Sequence, residues 1–113
     1  MSNKWATLRN RAYQNQHGRC HYCGCAMWQS DPQLFARHHG LSLRQAAEFQ
    51  ATAEHLVARC DGGKDIAANI VAACRCCNHR RHGRKTVLSP ERYCSLVRQR
   101  VAAGKWHPEL KKG

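Results

Sequence analysis

Two Cys-x-x-Cys pairs, Cys20/Cys23 and Cys74/Cys77, constrain this chain more than any other feature. Each sets two thiols on one tight turn, the arrangement of a zinc knuckle, and Gly24 follows the first pair where the backbone must bend round the ion. Four thiolates make a closed tetrahedral site, which is structural rather than catalytic. The fifty residues between Cys23 and Cys74 exceed compact zinc-ribbon spacing, so a folded segment is expected between the two halves. Cys25 and Cys76 lie close enough to compete as ligands but break the two-residue spacing. Cys60 and Cys94 have no evident partner and are expected as packing thiols. The chain carries eight cysteines and no apolar stretch like a secretory leader. The expectation is a reducing, cytoplasmic compartment, where clustered cysteines bind metal rather than pair as disulfides.

Composition agrees that the fold needs a staple. A chain of 113 residues with 42% apolar and 7% aromatic content supports one domain with a modest core. No apolar run approaches the roughly 18 residues of a membrane span, which excludes a membrane partner of that kind. The net charge is +12, and from His79 onward ten Lys and Arg face only Glu91 and Glu109. A basic excess of that size in a small domain points to a polyanion, most often nucleic acid.

Periodicity and punctuation predict an α+β order. A helix is expected over 3–16, with Trp5, Leu8 and Ala12 on one stripe. Start signals at Ser30-Asp31-Pro32-Gln33 and Ser42-Leu43-Arg44-Gln45, with a break at Gly40, predict two short helices inserted over 31–49. Residues 50–58 and Ile70-Val71-Ala72 read as two strands of a hairpin joined through Asp61-Gly62-Gly63. Cys74 then opens a helix ending at Gly83. A last, basic helix runs from Ser89-Pro90-Glu91 to about residue 103, with Tyr93, Leu96, Val97 and Val101 on one face.

The segments Glu54-His55 through Gly62-Gly63, Asn69 through Cys74, and Cys77-Asn78-His79-Arg80-Arg81-His82 occur in an order that resembles the HNH endonucleases. These have the ββα-metal fold, and the likeness is to the subgroup stapled by a four-cysteine zinc site. It covers about 9–83, with the insertion outside it. The fold class implied is a small zinc-stapled ββα-metal domain with flanking helices, one domain over 1–113. The activity implied is hydrolysis of DNA phosphodiester bonds, leaving 5′-phosphate and 3′-hydroxyl ends.

The resemblance assigns roles. His55 matches the general base, and an imidazole with an unperturbed pKa near 6.5 suits that role at neutral pH. Glu54 matches the acidic ligand of the catalytic metal; it is one methylene longer than the commoner Asp, yet still a hard oxygen donor for Mg²⁺ or Mn²⁺. Asn69 matches the middle residue, which in the family pins the hairpin loop and orients the histidine. The third position is Asn78 rather than His, and His82 supplies a second donor one turn on, an offset some ββα-metal nucleases use. His79 points about 100° away and is better placed for phosphate or water. With Arg80, Arg81, Arg84, Lys85, Arg98 and Arg100 it forms the expected surface for DNA, taken as double-stranded. Two rivals share the scaffold: a zinc-stabilised nucleic-acid-binding module without catalysis, and a ribonuclease.

Overall fold

The computed structural model describes residues 3–108 and 110. Of the basic C-terminal excess, Lys111 and Lys112, with Glu109 opposing them, lie outside this description. The helices are α1 (Lys4–Asn15), α2 (Pro32–His39), α3 (Leu43–Ala47), α4 (Arg75–His82) and α5 (Pro90–Ala102), and the strands are β1 (Ala51–His55) and β2 (Ile70–Cys74). None of these helices is long and apolar enough to cross a membrane. The chain is thus a small α+β fold built on one two-stranded sheet.

Each helix starts at a side-chain cap. The Asn3 carboxamide accepts from Trp5 and Ala6 amides, opening α1. Asp31, rather than Ser30, caps α2, accepting from the Leu34 amide at 2.9 Å, with Pro32 as its first residue. Ser42 and Gln45 form a reciprocal capping box at α3. Cys74 caps α4 through its sulfur, so that helix begins on a predicted zinc ligand. The inserted pair α2–α3 buries Phe35, Ala36, Ala46 and Phe49 in a small core of its own, and Trp28 joins it by donating to Ala46 O at 2.7 Å.

β1 and β2 pair antiparallel, Ala51 opposite Cys74 and His55 opposite Ile70. The first strand ends at His55 instead of running to residue 58. The reason is Asn69: its backbone carbonyl takes the Leu56 amide, and its carboxamide clamps Val57 N at 2.8 Å and Val57 O and Lys64 O at 3.0 Å each. The loop is drawn tightly over itself, so that a Cβ at Gly63 would lie 1.7 Å from Val57 O. Only glycine fits there.

The knuckle of Cys20–Cys25 docks on the outer edge of β2. His21 N donates to Ala72 O, and the Gln16 carboxamide takes both the amide and the carbonyl of Ala72. This pairing covers the sheet edge. Tyr22, Met27, Tyr93 and Val97 fill the main core around the cysteines, with the Tyr22 and Tyr93 rings 4.9 Å apart, edge to face.

Candidate metal centres and the hairpin cleft

The four sulfurs of Cys20, Cys23, Cys74 and Cys77 lie within 4.8 Å of one another, and all four residues are buried. Cys23 Sγ and Cys74 Sγ are 3.9 Å apart, against about 3.8 Å for the edge of a tetrahedron with Zn–S near 2.3 Å. Amide N–H groups of Tyr22 and Cys74 point at Cys20 Sγ, that of Cys77 at Cys74 Sγ, and the Trp106 indole at Cys77 Sγ, at 3.3–3.4 Å. Such donors stabilise thiolates. The thiols of Cys23, Cys74 and Cys77 donate to Cys20 and draw its pKa well down, while sharing with it pushes theirs far up. Holding all four as thiolates would take a dication, and the cluster can hold a metal ion such as zinc.

The rival cysteines separate cleanly. Burial pushes the Cys76 thiol up to about 12, and it lies outside the group of four. Cys25 stands beside Cys23 in a second group with His107. Cys94, half-buried, has its sulfur 3.6 Å from Tyr22 O. Cys60, expected to be packed, is exposed on a short turn, Arg59–Asp61, because the hairpin loop closes on its own backbone and buries no side chain there.

At the loop end of the hairpin, Glu54, His55, Asn78 and His82 line one cleft of about 250 Å³. Glu54 is only 1% exposed, so its charge depends wholly on partners. Its Oε2 accepts from Tyr22 OH at 3.0 Å and Arg81 Nη1 at 3.2 Å, and its Oε1 lies 2.7 Å from His82 Nε2. Burial, then the Glu54 charge, pushes the Tyr22 hydroxyl up, keeping it a neutral donor. The Asn78 carboxamide nitrogen donates to Thr52 Oγ1 at 2.9 Å and to Ala53 O, which seats α4 on β1. Its carbonyl oxygen has no bond among the described residues and could face a cation.

His55 is held from two sides. Its Nε2 is 3.0 Å from Asp65 Oδ1, and its ring meets that of Trp5 edge to face at 4.9 Å. Arg59 ties the assembly together, reaching Asp65 Oδ2 at 2.9 Å and stacking 4.4 Å above Trp5. The His55 hydrogen bond, followed by Arg59, holds the Asp65 carboxyl below its usual range. Asn69 bonds loop backbone and makes no bond to the His55 ring, so Asp65 is the residue that orients the imidazole.

The basic residues divide. Arg81, expected to face DNA, is 3% exposed and spends its guanidinium on Glu54, His55 O, Leu56 O and Leu88 O, so it braces the hairpin rather than a phosphate. Arg98 is exposed but its Nε donates to Tyr22 O, and Arg80 stacks 4.6 Å over Trp106. His79, Arg84, Lys85 and Arg100 are exposed, with no side-chain partner among the described contacts. Asp65, Trp5 and Arg59 were given no site role from the sequence; spacing alone does not reveal a contact closed by a loop. Comparison of the chain with family models, with curated proteins and with solved structures returns no match.

Proposed function

We propose that this chain is a metal-dependent endonuclease of HNH type, hydrolysing DNA phosphodiester bonds by attack of a His55-activated water. The observation that carries the reading is the oriented His55–Asp65 pair, at the same cleft as the Glu54–His82 pair. A carboxylate can only accept, so Asp65 fixes the proton on Nε2 and leaves Nδ1 as the basic nitrogen of His55. That nitrogen takes a proton from water as the water oxygen attacks phosphorus. The bond from phosphorus to the 3′-oxygen breaks, and that oxygen takes a proton from solvent, leaving 5′-phosphate and 3′-hydroxyl ends.

Glu54 Oε1, His82 Nε2 and the Asn78 carbonyl oxygen would hold the divalent ion. The 2.7 Å between Oε1 and Nε2 is close to the roughly 3 Å between adjacent ligands of an ion bound at about 2.1 Å. Arg81 and Tyr22 occupy only Oε2, which leaves Glu54 a one-oxygen ligand. Bound there, Mg²⁺ or Mn²⁺ supplies charge stabilisation at the phosphate and the leaving oxygen. Zinc, in the cysteine site, has the separate task of fixing α4 and the knuckle on the hairpin. Exposed His79, Arg84 and Lys85, on or just beyond the α4 end that bears His82, suit a DNA backbone.

Parallel digestion of supercoiled plasmid and of structured RNA, each with Mg²⁺, Mn²⁺ or EDTA, tests the substrate class. Plasmid nicking or linearisation that requires the divalent ion is expected. Cleavage of RNA alone establishes the ribonuclease rival; retention of both intact, with tight binding, establishes the binding module.

A further inference from the structure

Behind the first knuckle lies a cavity of about 630 Å³, away from the His55 cleft, lined in part by Cys25, His39, Trp106 and His107. Cys25 and His107 belong there to a second ligand group: Cys23 Sγ, Cys25 Sγ and an imidazole nitrogen of His107 lie within 4.8 Å of one another. His107 Nε2 is buried and has no hydrogen-bond partner among the described residues. An orphan buried nitrogen is costly unless something is supplied to it. We propose that Cys25 and His107, with Cys23 as a thiolate shared between two ions, hold a second thiophilic divalent ion, zinc by preference, at the wall of this cavity.

The donor set is the first support. Two sulfurs and one imidazole suit zinc, cobalt or cadmium and reject magnesium and calcium. Charge is the second. One zinc on four thiolates leaves two negative charges uncompensated, so a neighbouring dication is attracted to that side. Rigidity is the third. Cys25 O accepts from Cys20 N at 2.9 Å, its neighbour Ala26 pairs with Arg19, and the His107 ring lies 4.7 Å from that of Phe49. The donors are thus anchored before the ion arrives. Three protein ligands leave the fourth position to water or a small anion from the cavity, the pattern of an accessible rather than a closed site. The inference rests on the four-cysteine zinc site and is independent of the nuclease reading.

Metal content of the folded chain at saturating Zn²⁺, after removal of unbound metal, gives the direct test. Two equivalents are expected for the wild type, and one for Cys25→Ser and for His107→Gln, both still melting cooperatively. Saturation of the wild type at one equivalent overturns the proposal, as does a second equivalent that survives in both variants. Should Cys25→Ser fail to fold, His107→Gln and a Co²⁺ titration of the wild type decide the matter. Two successive thiolate-to-cobalt absorption steps are expected, the second weakening the cobalt paramagnetic signal through the shared sulfur. A single step rejects the shared site.

Discussion

Glu54 shows how a charge survives in the core of so small a domain. Arg81, Tyr22 and His82 between them engage both of its oxygens, and Arg81 is itself buried. Removing one partner of such a pair leaves an uncompensated charge, so Glu54→Gln is expected to cost about 3–5 kcal/mol in urea denaturation. Glu54→Gln combined with Arg81→Met is expected to cost less than the two single changes summed, because the pair is then removed together. Asp65 offers a different test. Asp65→Asn keeps the shape but allows the wrong His55 tautomer, and a fall of roughly 10–100-fold in cleavage rate is expected, read from initial rates. Its pH behaviour follows from the lowered carboxyl pKa. A depressed folded-state value contributes stability above the unfolded pKa of about 3.9, lost as the pH falls through the lower folded value. The stability difference between wild type and Asp65→Asn should accordingly be present above about pH 5 and vanish in stronger acid. The positions of Glu54 and His55 at the end of β1 and of Asn69 at the loop it pins were legible from the strand and turn pattern. The partners of Asp65 and Arg81 were not, since they are reached only when the loop and α4 fold over β1.

At the scale of elements, caps and glycines carried the reading. The helix expected over 3–16 is found at Lys4–Asn15, and the two expected within 31–49 are α2 and α3. Where the sequence misled was strand length: the β-favouring run through Val57 and Ala58 is overridden by the Asn69 clamp. With a metal ion in the cysteine cluster, α4 would be the element most dependent on it, because the cap at its start is Cys74 and its first turn contains Cys77. Metal binding and folding would then be one equilibrium. Cys77→Ser, or stripping the wild type with a strong chelator, is expected to abolish the cooperative thermal transition. A metal-free preparation that still melts cooperatively contradicts this.

Across the whole molecule the excess of positive charge was legible as a number but not as a surface. Arg81 is withdrawn to the interior and Arg98 to the knuckle, while Arg84 and Lys85 are exposed beyond the end of α4. Each phosphate contact contributes about 0.9 to the slope of log affinity against log salt. Charge reversal at Arg84 and Lys85 together should therefore weaken DNA binding and flatten that slope by nearly 2, measured by fluorescence anisotropy; an unchanged slope puts the DNA path elsewhere. The central claim is that His55 activates water at this cleft. Plasmid cleavage by His55→Ala beside wild type in Mg²⁺ and Mn²⁺, with DNA affinity measured on the same preparations, tests it most directly. The account predicts a loss of about 10²–10⁴-fold in rate with affinity nearly unchanged. A folded His55→Ala protein that cleaves within about tenfold of wild type would contradict it, because a general base contributes more than that.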